Sequence, residues 1–76
     1  MRELDRSEIH ALQMFANGRS AEEIAAALDV SKSIAQHYLR VAARKLEARN
    51  RIHAVAIAVK LGLIEPKGGP RGASGD

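Results

Sequence analysis

The chain has no cysteine among its 76 residues, which excludes a disulfide framework and a thiolate metal site and fits a reducing compartment. Aromatic rings are reduced to Phe15 and Tyr38. A chain this short forms one small domain without room for a large ligand cavity, so neither a cofactor nor a small-molecule ligand is expected in this segment. The longest apolar run, Ala54 to Val59, is far too short for a bilayer, and the N-terminus is charged, unlike a signal peptide. The expectation is a soluble, cytoplasmic protein with no membrane partner. The three histidines, His10, His37 and His53, fall on different predicted helices with no i, i+4 pair, so no metal site is expected. Of the serines Ser7, Ser20, Ser31 and Ser33, two are accounted for as helix caps and none has a His-acid pair beside it, so an enzyme is not expected either.

What the sequence does contain is a succession of helix signals. Asp5 followed by Glu8, with Leu4 before them, announces a first helix that runs to about Asn17. Ile9, Leu12, Phe15 and Ala16 give it an apolar face, and Gly18 suits a left-handed ending. Ser20 and Glu23 form a second capping box, so the next helix starts at about residue 21, with Ile24, Ala25 and Leu28 on its apolar stripe. Asp29-Val30-Ser31 then interrupts the pattern, and Ser31 offers a new N-cap almost at once. On the third helix Ala35, Tyr38, Ala42 and Leu46 form an inward line, whereas Ser33, Gln36, His37, Arg40 and Arg44 point elsewhere. That helix is expected to end near Glu47 to Arg49, after which Asn50 caps a fourth, spanning roughly Arg51 to Leu61 and stopping at Gly62. Two capped helices joined by a brief turn, with small residues Ala25, Ala26, Ala27 and Ala35 where they cross, spell a DNA-reading helix-turn-helix. The fold class expected is all-α, a four-helix bundle containing a helix-turn-helix over residues 1–64. Residues 65–76 are rich in Gly and Pro and are expected to be a disordered tail.

Charge points to the same partner. Residues 1–31 carry three Lys/Arg against six acids, whereas residues 32–51 carry Lys32, Arg40, Arg44, Lys45, Arg49 and Arg51 against Glu47 alone. A positive field focused on the third helix, with the opposite sign upstream, suits a polyanion.

The fourth helix has a surplus of apolar residues. Ile52, Ala54, Val55, Ala56, Ile57, Ala58, Val59 and Leu61 leave hardly any polar face, yet a terminal helix in a small domain buries only one side against its own core. A second copy of the same helix is the expected partner for the other side, with Val55 and Val59 as the dimerising residues. Because these side chains are modest, pairing is expected on DNA more than in the free domain.

The series Leu4, Glu8, Leu12, Ala16, Gly18, Ser20, Glu23-Ile24-Ala25, Leu28, Val30-Ser31, Lys45-Leu46, Asn50-Arg51, Ala54-Val55, Ala58 and Gly62-Leu63-Ile64 resembles the LuxR-type (GerE-like) DNA-binding domain. The match is gapless over residues 4–64, and the ending Asn50-Arg51-Ile52-His53-Ala54-Val55-Ala56, closed by Leu61 to Ile64, looks most like the quorum-sensing branch. The resemblance implies a transcription regulator that inserts its third helix into the major groove of double-stranded DNA and dimerises through its fourth. It places base reading on Gln36, His37 and Arg40, and phosphate contacts on Ser31, Lys32, Arg44, Lys45 and Arg51. Elementary chemistry agrees: arginine bonds a guanine edge bidentately, glutamine an adenine edge, and Lys32 lies beside a helix N-terminus that favours phosphate. RNA polymerase is a further expected partner. The family's usual Thr-Val-Lys, then one residue and a His, is replaced here by Ile34-Ala35-Gln36 and then Tyr38, and Ser7 stands where an arginine is usual. One positive charge is thereby lost from the groove face, so the family's usual operator sequence is not carried over to this chain as an expectation. The alternative reading from the same sequence is a protein-interaction module that pairs with a related regulator and sequesters it without binding DNA.

Overall fold

The computed structural model describes residues 3–65. They form four helices, α1 (Arg6–Ala16), α2 (Ala21–Leu28), α3 (Lys32–Lys45) and α4 (Arg51–Lys60), with no strand among the described residues, as the all-α expectation required. Every helix starts on a side-chain cap. The Glu8 N–H donates to Asp5 Oδ1 and the Asp5 N–H donates to Glu8 Oε1, both at 3.0 Å. Ser20 and Glu23 repeat the exchange at 3.1 and 2.8 Å. Ser31 Oγ accepts from the Ile34 N–H at 3.1 Å and Asn50 Oδ1 from the His53 N–H at 2.8 Å. At α4 the reach-back is made by a histidine: His53 Nδ1 accepts from the Arg49 N–H at 3.0 Å. Such caps contribute about 1 kcal/mol each.

Every helix also ends in the same way. Gly18, Asp29, Glu47 and Gly62 all take left-handed backbone angles, with φ of 86°, 59°, 58° and 78°. In each case the next N–H bonds back five residues, Arg19 to Met14, Val30 to Ala25, Ala48 to Ala43 and Leu63 to Ala58 at 2.8–3.0 Å, which is the Schellman arrangement. Two of these turns use glycine and two do not. The left-handed Glu47 ends α3 at Lys45, short of the Glu47 to Arg49 expected from the sequence.

Helices α1 and α3 pack against each other and against both of the others, while α2 and α4 share no contact. Leu12, Ile24 and Leu39 are the large side chains fully enclosed at the centre, surrounded by Ala11, Ala25, Ala35, Ala42, Ala54 and Ala58. An alanine-rich core lets helix backbones approach closely, and it leaves the few large residues to supply most of the apolar burial. Tyr38 packs at the margin, with Leu39 taking the deeper position. Glu8 is the buried charge in this core. Its Oε1 accepts both the Asp5 N–H and, at 2.8 Å, the Lys45 ammonium, which also donates to the Glu3 carbonyl at 3.3 Å. The start of α1 is thereby tied to the end of α3.

After α4 the chain returns to α1. Ile64 is buried, and the Gln13 amide grips the next residue from both sides, its Nε2 donating to the Glu65 carbonyl at 2.7 Å and its Oε1 accepting the Glu65 N–H at 2.9 Å. Glu65, expected as the first residue of the tail, is therefore fastened to the domain, and the remainder of that expected tail lies outside the described residues.

Candidate nucleic-acid interface

Only Asp29, Val30 and Ser31 separate α2 from α3, and the left-handed Asp29 makes so short a turn feasible. The outer face of α3 is exposed among the described residues. Ser33, His37, Arg40 and Arg44 are all exposed and follow one another at spacings of four, three and four residues, so they form a single strip along the helix. Gln36 lies half-buried beside it. The three residues predicted to read bases, Gln36, His37 and Arg40, are thus brought to one accessible side.

The residues predicted to meet phosphate fall into two groups and one outlier. At the N-terminal end, Ser31 is exposed, although its hydroxyl is engaged as the α3 cap. Lys32 sits 3.0 Å from Glu22 across the α2–α3 turn, with both side chains more than half exposed. That hydrogen bond, helped by a backbone hydrogen bond at Glu22 and by the lysine charge, holds the Glu22 carboxyl below its ordinary range. At the other end, Arg44 and Arg51 come together with Arg40 and Arg49 around a cleft of about 430 Å³ floored by Ala43 and Ala48. The outlier is Lys45, whose side chain is only 24% exposed and is committed to Glu8.

The cleft is the most distinctive electrostatic feature of the domain. The ion pairs among the described residues join Arg19 to Glu23, Lys32 to Glu22 and Lys45 to Glu8, so none of the four arginines around the cleft has an acidic partner. The cleft opens between the C-terminal half of α3 and the first turn of α4. Four arginines bordering one cleft concentrate positive charge there, and the planar fork of arginine matches phosphate oxygens well. Arg49 contributes to this cleft although the sequence singled it out only as one member of a basic run. Its role depends on the tight turn at Glu47 and Ala48, which folds the 48–51 segment back beside α3.

On the far side of α4 the surface is apolar. Ile52 is 75% exposed and Ala56 is exposed, with Val55 and Val59 half-buried beside them, a spacing of three, one and three residues along one stripe. Ile52 and Val55 also border a shallow groove against Phe15 and Ala16 of α1. The sequence pointed to Val55 and Val59, but the most exposed large side chain of the stripe is Ile52. No helix among the described residues is long and apolar enough to cross a membrane.

Residues 3–58 match the family of bacterial regulatory proteins of the luxR type. The chain is 41% identical over 59 residues to the transcriptional activator protein BjaR1 of Bradyrhizobium diazoefficiens, an alignment covering 78% of this chain and 24% of that protein. It is 46% identical over 57 residues to the HTH-type quorum sensing-dependent transcriptional regulator RpaR of Rhodopseudomonas palustris, covering 75% of this chain and 24% of the relative. The chain therefore spans about a quarter of the length of these curated relatives. With four capped helices, a three-residue turn between α2 and α3 and this family match over most of its length, the chain belongs to the luxR family of bacterial regulatory proteins.

Proposed function

We propose that this domain is the DNA-binding output module of a transcription regulator, with α3 entering the major groove and α4 pairing with its copy in a second domain. The observation that supports it most strongly is the set of four arginines around the α3–α4 cleft, without acidic partners among the described residues, beside an exposed polar strip. In this reading Arg40 bonds a guanine edge, Gln36 an adenine edge and His37 a neighbouring base. Ser31 and Lys32 meet phosphates at one end of α3, and Arg44, Arg49 and Arg51 meet them at the other. Lys45 holds α3 in place and is not counted as a phosphate ligand, because Glu8 neutralises it. The names of both relatives support regulation of transcription, and that of RpaR supports dependence on a quorum signal, which in this reading is sensed outside this segment.

Pairing through Ile52, Val55, Ala56 and Val59 sets two α3 helices about one DNA turn, roughly 34 Å, apart. The preferred site is then an inverted repeat with half-site centres about ten base pairs apart. Selection of bound sites from a random duplex pool tests both points. Recovery of such a repeat supports the proposal; sites without two-fold symmetry remove the dimer, and no duplex binding at low salt favours a module that sequesters a related regulator through α4. Ile52→Glu, at a position 75% exposed, is expected to leave the fold intact and abolish cooperative binding to the repeat. If cooperativity survives, pairing through α4 is wrong.

A further inference from the structure

Two apolar side chains of α3 belong neither to the core nor to the polar strip. Ile34 is 41% exposed, and Val41 is half-exposed and lies outside the cluster of residues packed on the core. They are seven residues apart, nearly two full turns or about 10.5 Å along the axis, so both stand on the same edge of the exposed face. Folding alone does not explain them. β-Branched residues are mediocre helix formers, and the only role of Ile34 in the cap is its backbone N–H, which donates to Ser31 Oγ.

Their surroundings narrow what covers them. The adjacent strip is Ser33, His37, Arg40 and Arg44, and it leads into the arginine cleft, so the complementary surface is anionic and hydrogen-bonding with apolar groups set into it. The major groove of a DNA duplex fits that description, and the apolar group it offers on a base edge is the C5-methyl of thymine.

We infer that Ile34, with Val41 along the same edge, reads thymine methyl groups and is a specificity-determining residue of this domain. This rests on the proposal that α3 reads DNA, and it adds an apolar element to the hydrogen-bonding contacts of Gln36, His37 and Arg40. Ile34 is in the first turn of α3, the part of a reading helix that comes nearest to base edges. If both side chains make contact, the thymines lie about three base-pair steps apart at roughly 3.4 Å per step. A 5-methylcytosine at the same position presents the same methyl group and satisfies the same contact.

The test uses the 76-residue chain and its selected duplex, with each thymine replaced in turn by deoxyuridine. That change removes the methyl and leaves every hydrogen-bonding group in place. One or two replacements are expected to weaken binding by about fourfold each, the value of one buried methyl. Ile34→Ser is expected to weaken the parent duplex by at least as much and to become insensitive to deoxyuridine at the thymine it had read. Ile34→Thr, which keeps the β-branch and one methyl, is expected to fall between the two. Tight binding with no deoxyuridine effect at any position overturns the inference while leaving DNA reading intact, and so does an undiminished effect in Ile34→Ser. Failure to bind any duplex removes the DNA-reading proposal and this inference with it.

Discussion

Helix α3 begins and ends on a lysine, and the two do different work. Lys32 stands in solvent, paired at 3.0 Å with an equally exposed Glu22. Lys45 is folded inward, 2.8 Å from the carboxylate of Glu8, a buried residue 37 positions away in sequence. A charge in water is exchangeable: a phosphate oxygen could replace the Glu22 carboxylate at little cost, because solvent screens an exposed pair. A charge that compensates a buried carboxylate is not, since withdrawing it leaves Glu8 unpaired in the core. Counting basic residues along a helix therefore overstates the charge available to a polyanion, and here the surplus has to be drawn from the arginines around the cleft.

The largest effect expected from this contrast is on folding. Lys45→Met is expected to cost on the order of 2–3 kcal/mol in denaturant unfolding, below the full value for a buried pair because the lysine is partly solvated. Adding Glu8→Gln is expected to restore a good part of it, and a cycle with no coupling between the two changes would show that the pair does not hold α1 to α3. Two residues beyond Lys45, Glu47 is left-handed without being glycine. Glu47→Gly is expected to stabilise the domain by about 0.5–1 kcal/mol, readable as a raised unfolding midpoint, by relieving a conformation that costs L-residues about 1–2 kcal/mol. At the other end of α3, Lys32→Ala is expected to leave the unfolding midpoint nearly unchanged, because solvent screens the pair it breaks. It is expected to weaken binding to all duplexes alike and to reduce the salt slope by about one.

The smallest effect concerns Glu22. Lys32 depresses its carboxyl, so the pair contributes at pH values above the ordinary carboxylate range and is lost as pH falls through the lowered folded value. Carboxyl NMR titration of wild type and Lys32→Ala is expected to show Glu22 moving upward in the variant. An unmoved Glu22 would mean that the pair is not formed in solution.

What the sequence made legible was whatever is decided within a turn of helix. The caps at Asp5, Ser20, Ser31 and Asn50 each act over three residues, and Gly18 and Gly62 mark their turns by composition. The outward strip of α3 followed from spacing alone. The features that escaped depend on contacts distant in the chain or on backbone states that composition does not mark. Glu47 adopts a left-handed angle with nothing in its chemistry to announce it, which is why α3 is shorter than the periodicity implied. The Lys45–Glu8 pair and the Gln13 grip on Glu65 join residues 37 and 52 positions apart. Arg49 enters the cleft, and Ile52 heads the α4 stripe, only because the 46–50 turn sets the angle between α3 and α4.

The most direct measurement is the salt dependence of binding to a random-sequence duplex, for the wild-type chain and for Arg44→Ala with Arg49→Ala. With Lys32, Arg44, Arg49 and Arg51 engaging about four phosphates and Lys45 excluded, log K is expected to fall with log salt at a slope of roughly minus three to minus four per domain. The double variant is expected to lose about two units of that slope while unfolding at the same denaturant concentration. A flat response in the wild type, or a slope unchanged in the variant, would contradict the assignment of the α3–α4 cleft as the phosphate-binding surface.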